Sequence, residues 1–384
     1  MSQLIQLNLR GEQYEPQEIK PYRWITLSEQ QRYTEFLLQC GFDESHIQGN
    51  KLDWCASVVE KYKCQNHSCN DITVKYLLCG NRGFCVRCSM NYAHKRAGIM
   101  YKFLKENLAD NLDFDLKMNQ IVLTLPSKLH DMETKLFVKM IKKFMSKFSI
   151  ESYGYCVQDT HSKDPLGPRY VHAHILTLNF KEDNGKMVQN DYYFDVDEMR
   201  KEWKAIIENM TNVKVEGNVN LKTEYHSVRN ESQIIKHWLS YLYRYPIQDL
   251  FNIQIRKQSI NYLETRQSQK SVNPINDSHN NILQIDDIKQ KILNLISKPK
   301  SRIVWCGWLT SSKRERLLDM LAIKIQSIED PEKLEIVPII WKNMAEITRE
   351  VESRASSCRG CMCPLEKEPY EIGEYVGDNE PDIR

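Results

Sequence analysis

Five of the chain's twelve cysteines lie between Cys64 and Cys88, and this cluster constrains the local fold more than any other feature. Tetrahedral zinc needs four thiolates or imidazoles, and a Cys-x2-Cys pair lets two sulfurs reach one ion from a tight turn. Clustered thiols in a reducing compartment bind metal more often than they form disulfides. The pattern therefore predicts a structural Zn²⁺ site with the candidate ligands Cys64, Cys69, Cys79, Cys85 and Cys88.

The five cysteines and one nearby histidine exceed a single four-ligand site by two groups. The Cys-x2-Cys pair and the cysteine before it are the expected core of the site, namely Cys79, Cys85 and Cys88. The remaining ligand is drawn from Cys64, His67 and Cys69, and the sequence leaves this choice open.

A second cysteine group, Cys358, Cys361 and Cys363, lies near the end of the chain. Three thiols need a fourth zinc ligand from elsewhere, for which Cys306 is a candidate. Zinc binding and idle or reactive thiols both remain open for this group.

Charge is distributed unevenly, although the formal net charge is only +2. Residues 61–105 hold nine Lys or Arg against one acidic residue, and the last 24 residues hold seven acidic residues against two basic ones. This predicts a polyanion-binding face, with Lys95 and Arg96 as DNA-binding candidates, and a separate solvated tail. There is no apolar run of 18 residues and no signal-peptide pattern, so we expect a cytoplasmic protein without a membrane partner.

Hydrophobic periodicity predicts an α+β domain between about residues 112 and 250, with strands paired antiparallel and flanked by helices. Its elements are a strand at Ile121–Pro126, an amphipathic helix with a basic outer face at 129–148, a long-looped hairpin of strands at 152–158 and 170–180, and a helix at 230–245. The whole chain then divides into an N-terminal region of unknown role (1–54), a zinc-binding module with a basic helix (55–111), the α+β domain (112–250), a polar linker (251–284) and a mostly helical C-terminal region (285–384).

The run His172-Ala173-His174 lies in the second strand of the predicted hairpin. Residues i and i+2 of a strand point to the same face, so both imidazoles could reach one metal ion while Ala173 faces the core. Tyr241 and Tyr245 lie four residues apart in a predicted helix and would share one face, although aromatic residues at this spacing also pack ordinary cores.

These residue types suit phosphodiester chemistry when they come together. A divalent ion held by two histidines and an oxygen ligand can polarise a scissile phosphate, and a tyrosine can then attack phosphorus. The resulting phosphotyrosine bond stores the energy of the cleaved bond, so that a DNA 3′-hydroxyl can later reverse it.

Three motifs follow one another along this chain: a strand ending in Leu-Thr-Leu-Pro, a strand with His-Ala-His and a helix bearing Tyr-Leu-Tyr-Arg-Tyr. This order resembles that of the HUH endonucleases. The resemblance covers about residues 55–250 and is strongest to rolling-circle replication initiators of plasmids. The chain is similar also to two-tyrosine rolling-circle transposases, which share an N-terminal zinc-binding region.

The resemblance implies roles for individual residues. His172 and His174 would hold a catalytic Mg²⁺ or Mn²⁺ with a third ligand from the preceding strand, and Tyr241 would be the nucleophile. Tyr245 would be either a second nucleophile or a packing residue, and Arg244 would contact phosphate. Candidates for the third ligand are Gln158, with Asp159 and Glu151 as alternatives and His161 as a further possibility.

The implied activity is nicking of single-stranded origin DNA with formation of a 5′-phosphotyrosine link, in the cytoplasm of a prokaryotic host. The 3′-hydroxyl would prime a host polymerase, and a host helicase is an expected partner because the chain has no GxxxxGK[ST] loop. The DNA strand is expected to lie against the basic helix around 135–147 and the zinc module. The alternatives are a transposase with the same chemistry and a zinc-bearing DNA-binding regulator without catalysis.

Overall fold

The structure is a computed structural model, and it describes only part of the 384-residue chain. The described residues are 25, 27–49, 51–52, 55, 59–66, 69, 72–161, 164–184, 186–190, 195–215, 221–252, 255, 285–297, 303–310, 344–354, 357–358, 363 and 365–367. The expectations for residues 1–24, for nearly all of the linker, for residues 311–343 of the C-terminal region and for the acidic tail after residue 367 lie outside them.

The described part of the chain combines helices with antiparallel strands, which confirms the α+β prediction. The α-helices are α1 (Leu27–Gln39), α2 (Glu44–Gly49), α3 (Val86–Phe103, continued by a π-helical turn over Leu104–Ala109), α4 (Thr134–Lys147), α5 (Val196–Thr211), α6 (Ser232–Leu242), α7 (Pro246–Phe251), α8 (Ile285–Ser297) and α9 (Met344–Arg354). The strands are β1 (Val59–Cys64), β2 (Ile72–Tyr76), β3 (Lys117–Thr124), β4 (Tyr153–Gln158), β5 (His172–Leu178), β6 (Phe180–Asp183), β7 (Lys186–Gln189), β8 (Leu221–Ser227), β9 (Val304–Cys306) and β10 (Leu365–Lys367).

A five-stranded antiparallel sheet in the order β8-β3-β5-β4-β9 forms the centre of the fold. Strands β4 and β5 pair as the predicted long-looped hairpin, and β5 lies in the middle of the sheet between β3 and β4. Strand β9 comes from the C-terminal region, which was expected to be mostly helical, and it pairs with β4 to form one edge of the sheet.

Helices α4 and α5 cover one face of this sheet. Apolar residues of α4 recur every three or four positions, and Phe144 packs edge-on against Trp203 of α5 with ring centroids 5.6 Å apart. This cluster includes Ala173 and Ile175 from β5. The lysines of α4 are exposed on its outer side, as the sequence predicts, and they are Lys135, Lys139, Lys142, Lys143 and Lys147.

Helices α3 and α6 cover the opposite face of the sheet. Leu239 of α6 and Met100 of α3 share a buried cluster with Cys156 and Leu176 of the central strands. Because side chains alternate along a strand, β5 directs its odd-numbered residues to α4 and α5 and its even-numbered residues to α3 and α6. Both histidines of the sequence pair are even-numbered and therefore belong to the α3 and α6 face.

A smaller sheet pairs two strands that lie before α3 with a strand of the C-terminal region. Its order is β10-β1-β2, and Cys64 at the end of β1 lies opposite Leu365 of β10. A separate apolar cluster contains side chains of α1, α7 and α8 together with Cys55, Cys85 and Cys88. No helix among the described residues is both long and apolar enough to cross a membrane.

Candidate active site and metal centres

The two histidines of β5 lie side by side on the α3 and α6 face of the central sheet. The ring centroids of His172 and His174 are 5.0 Å apart, and Ala173 between them is fully buried against α4 and α5. This is the orientation that strand alternation predicts. The pair lies at the end of β5 where the chain enters the strand, close to the ends of β3 and β4.

Both imidazoles have a ring nitrogen suited to binding a metal. His172 uses Nδ1 to hydrogen-bond the carbonyl oxygen of Tyr170 at 3.2 Å, which orients the ring with Nε2 as the remaining nitrogen. The buried Nδ1 of His174 has no hydrogen-bond partner among the described residues. Burial lowers the pKa of His172, and burial followed by the charges of His172 and Arg244 lowers the pKa of His174 to about 3. Both rings are neutral at pH 7, as metal ligation requires.

Gln158 is the third-ligand candidate that the strand register brings closest to the pair. It lies directly opposite His172 in the pairing of β4 with β5 and so shares its face. Asp159 follows at once, and its charge acts on His172, whereas Glu151 lies at the far end of β4, roughly 23 Å along the strand. Within the described residues, no third His, Cys, Asp or Glu joins the two histidines in a compact ligand group.

Tyr241 lies on the last turn of α6, directly beside the histidine pair. The centroid of its ring is 5.7 Å from that of His174 and 4.9 Å from that of His237, one helical turn earlier. The guanidinium carbon of Arg244 lies 5.1 Å from the centroid of the tyrosine ring. The fold thus brings a phenol, three imidazoles and a cation together from β5, α6 and the turn that follows α6.

Tyr245 does not share a helical face with Tyr241, so that prediction is wrong. Helix α6 ends at Leu242, and Tyr245 is the residue before Pro246, which begins α7. The Tyr245 ring is 7% exposed and belongs to the apolar cluster around α1, α7 and α8. Its hydroxyl has no hydrogen-bond partner in the described part of the chain, and burial raises its pKa to about 12.

Arg244 is held by an acidic residue that the sequence analysis missed. Its Nη2 lies 2.5 Å from Oδ1 of Asp249, whose side chain is 7% exposed. Burial raises the pKa of Asp249, and the charge of Arg244 opposes that rise. No spacing motif links the two residues, whereas His237 could have been found from its four-residue spacing before Tyr241.

His130, which the sequence analysis missed, and the ligand candidate His161 border the histidine pair through Tyr170. The ring centroid of Tyr170 lies 5.2 Å from that of His172, 5.1 Å from that of His130 and 4.8 Å from that of His161. His161 had been considered only as a stray ligand. These contacts extend the imidazole-rich surface along the loop between β4 and β5.

The structure groups four thiols that the sequence did not group. Cys79, Cys85 and Cys88 lie together as expected, but the fourth member is Cys55, and the four sulfurs lie within 4.8 Å of one another. Neither Cys64 nor Cys69 belongs to this group, and His67 lies outside the described residues. Cys55 escaped notice because it precedes Cys79 by 24 residues and forms no spacing motif with it.

The geometry of this four-thiol group fits zinc. The Sγ–Sγ distances are 3.7 Å for Cys55 with Cys88, 3.4 Å for Cys79 with Cys88 and 3.4 Å for Cys85 with Cys55. Tetrahedral Zn–S bonds of about 2.3 Å place sulfurs about 3.8 Å apart. Hydrogen bonding among the thiols, to Cys55 first, lowers the pKa of Cys79 and raises that of Cys85. The group could therefore bind a zinc-like metal, and Cys55, Cys79, Cys85 and Cys88 would hold it.

A second group of thiols consists of Cys64, Cys69 and Cys358. It joins two members of the first predicted cluster to one of the C-terminal cysteines. Cys306 is not the partner of Cys358, because it lies on β9 opposite Tyr153 at the edge of the central sheet.

The three predicted DNA contacts lie in different surroundings. Lys95 on α3 forms an ion pair with Glu352 of α9, with Nζ and Oε1 2.7 Å apart. Arg96 is exposed, and its guanidinium carbon lies 5.4 Å from the ring centroid of Tyr92. Arg244 lies at Tyr241 and Asp249, as described above. The lysines of α4 are on the other face of the sheet from the histidines.

Comparison of the chain with protein-family models, with curated proteins and with solved structures found no match.

Proposed function

We propose that this protein is a metal-dependent HUH endonuclease, which nicks single-stranded DNA and joins the 5′-phosphate to Tyr241. The observation that carries the proposal is the contact of the Tyr241 ring with His174, whose imidazole pairs with that of His172 on the middle strand of an antiparallel sheet. Tyr241 and His174 are 67 positions apart in the sequence, so local spacing does not impose their contact.

His172, His174 and Gln158 would hold Mg²⁺ or Mn²⁺, and their imidazoles favour Mn²⁺. The bound ion would supply positive charge to the nonbridging oxygens of the scissile phosphate. Hydrogen bonding of His172 to the Tyr170 carbonyl would keep its ring oriented for this role.

Tyr241 would supply the nucleophilic oxygen. A bond forms from that oxygen to phosphorus, the bond from phosphorus to the 3′-oxygen breaks, and the 3′-oxygen takes up a proton from solvent. His237 can accept the phenol proton, because burial and then the charge of Arg244 lower its pKa and leave it neutral at pH 7. Arg244 places positive charge beside the attacking group.

The DNA strand would approach along α3 rather than α4. Helix α3 follows the four-thiol group and covers the same face of the sheet as Tyr241, whereas the α4 lysines lie on the opposite face. Arg96 on α3 would contact the phosphate backbone, and Lys95 would do so once released from Glu352. The earlier expectation that the strand lies against α4 is therefore replaced.

Initiation of rolling-circle replication of a plasmid is the cellular role that this proposal favours. A transposase of the two-tyrosine type needs a second accessible phenol, and Tyr245 is buried away from solvent. A host polymerase would extend the 3′-hydroxyl, and a host helicase would separate the strands in the cytoplasm of the prokaryotic cell.

The test is a cleavage assay with labelled single-stranded oligonucleotides that tile the DNA flanking the gene, with Mn²⁺ or without added divalent ion. We expect a protein–DNA adduct that survives denaturation in the presence of Mn²⁺ and is lost in Tyr241→Phe. Tyr243→Phe is the matched control, because that phenol is two residues away and packs against the α3 and α6 cluster. An adduct that persists in Tyr241→Phe would assign the nucleophile to another residue and overturn the role of Tyr241. No adduct while the protein still binds the DNA would favour a non-catalytic zinc-bearing regulator.

A further inference from the structure

Cys64, Cys69 and Cys358 meet beside the small sheet in which β1 pairs with β10 of the C-terminal region. Their three Sγ atoms lie within 4.8 Å of one another, and those of Cys69 and Cys358 are 3.5 Å apart although 289 residues separate them. Cys64 and Cys358 are buried, and Cys69 is half-buried. Thiols that are brought together from such distant positions are held by the fold and not by a local turn.

The backbone around these thiols has the features of a metal-binding turn. The amide of Asn66 donates a hydrogen bond to Sγ of Cys64 at 3.4 Å, which is the kind of contact that stabilises a ligating thiolate. On the other side, the amide of Cys358 donates to the carbonyl oxygen of Cys363 at 2.8 Å, and the chain then enters β10 beside Cys64. Both segments therefore turn back at the sulfur cluster.

We propose that Cys64, Cys69 and Cys358 bind a second zinc ion, separate from the one held by Cys55, Cys79, Cys85 and Cys88. Three thiols within 4.8 Å of one another, two of them 3.5 Å apart, fit around one tetrahedral ion, and a disulfide would leave one thiol unpaired. The sequence offers two further thiols for the fourth position, namely Cys361 at the Cys-x2-Cys spacing, which lies outside the described residues, and Cys363 just beyond it.

The second ion would fasten the C-terminal segment to the zinc module. Helix α9 ends four residues before Cys358 and carries Glu350 and Glu352, which pair with Lys102 and Lys95 of α3. Metal binding at Cys358 thus keeps an acidic helix against the basic surface of α3. This centre shares no residue with Tyr241 and its histidines, so it does not depend on the proposed nuclease activity.

Zinc content of the purified full-length chain, measured by elemental analysis under a phosphine reductant, tests the proposal. We expect two zinc ions per chain in the wild type and one in Cys358→Ser, in Cys69→Ser and in the Cys69→Ser/Cys358→Ser double variant, because both thiols serve one ion. Cys156→Ser is the control, since that buried thiol belongs to the central sheet, and it should keep both ions. A wild type with one zinc ion, or a Cys358→Ser protein with two, would overturn the second site.

Cys361→Ser and Cys363→Ser identify the fourth ligand. One of the two variants should lose the second ion, and retention of both ions in both variants would overturn a four-thiol site.

The second site can also be tested without variants, by alkylating the native wild-type protein and locating the modified cysteines by mass spectrometry. Cys64, Cys69 and Cys358 should resist alkylation until a chelator is added and then react together. A Cys69–Cys358 disulfide in place of bound metal would contradict the proposal.

Discussion

The Tyr245 ring packs edge-on against the ring of Tyr92, with centroids 6.2 Å apart, and its hydroxyl is buried without a hydrogen-bond partner among the described residues. The ring therefore contributes packing, while the phenol oxygen adds little to stability. We expect Tyr245→Phe to form the protein–DNA adduct within about threefold of the wild-type rate and to match or exceed its stability. Tyr245→Ala, which leaves a cavity, should cost about 3–5 kcal/mol in the free energy of unfolding.

Adduct formation and urea denaturation of the two variants measure these effects. Loss of the adduct in a folded Tyr245→Phe protein would instead identify Tyr245 as a second nucleophile and favour the transposase.

His174→Gln should weaken the catalytic metal site. Its Nδ1 is buried without a partner among the described residues, and its ring lies between His172 and Tyr241. Loss of a direct ligand should raise the Mn²⁺ concentration for half-maximal adduct formation by about 100-fold or more, since even residues that only orient ligands contribute 10–100-fold. The measurement is a Mn²⁺ titration of adduct yield, with His46→Gln on the surface helix α2 as control. Equal titrations of both variants would remove His174 from the ligand set.

Acid should destabilise the protein through its buried histidines. Burial, followed by the charge of His237, lowers the pKa of His94 to about 4, and the pKa of His174 is about 3. In the unfolded chain each imidazole takes up a proton near pH 6.5. Between these values the unfolded state binds more protons than the folded state. The free energy of unfolding therefore decreases as the pH is lowered, by at most about 1.4 kcal/mol per pH unit for each histidine.

Urea denaturation between pH 7 and pH 4.5 measures this slope. His94→Gln should show a shallower loss of stability on acidification than the wild type, because one of the buried imidazoles that contribute to the slope is removed. The same slope in both proteins would contradict the role assigned to His94.

Cys55→Ser should remove the zinc ion held with Cys79, Cys85 and Cys88 and destabilise the protein by about 3 kcal/mol or more. Cys40→Ser is a matched control, because Cys40 lies in the same apolar cluster but belongs to neither group of neighbouring cysteines. Burial raises the pKa of the Cys40 thiol to about 12, so this thiol is neutral. It should cost about 1–3 kcal/mol for the buried hydroxyl and retain its metal. Zinc content together with denaturation distinguishes the two variants. Full zinc content in Cys55→Ser would show that another residue, and not Cys55, is the fourth ligand.

Glu352→Gln should strengthen DNA binding, because it releases Lys95 from an exposed ion pair. Exposed ion pairs are weak and are screened by salt. We therefore expect the affinity for DNA to rise by about two- to fivefold at low ionic strength and this gain to disappear at high salt. Asp197→Asn removes the same charge from α5 on the other face of the sheet and should change affinity less. Fluorescence anisotropy with a single-stranded oligonucleotide measures both. Equal gains in the two variants would indicate a general charge effect without a specific role for α9.

Local pattern was sufficient for the parts of the fold that depend on neighbouring residues. Strand alternation placed His172 and His174 on one face with Ala173 on the other, and the three- to four-residue spacing of apolar side chains placed the α4 lysines outward. These predictions succeed because the side-chain directions within a helix or strand follow from backbone geometry alone.

Tertiary structure decided everything that depends on which distant segments meet. Cys55, and neither Cys64 nor Cys69, lies beside Cys79, while Cys64 and Cys69 meet Cys358, which follows Cys69 by 289 residues. Pairing between distant strands sets these contacts, and the spacing of cysteines along the sequence does not indicate which strands pair. The end of α6 at Leu242 separated Tyr245 from Tyr241. The sequence by itself therefore determined the faces of β5 and α4, whereas only the packing of α6 on the sheet determined that Tyr241 meets the histidines.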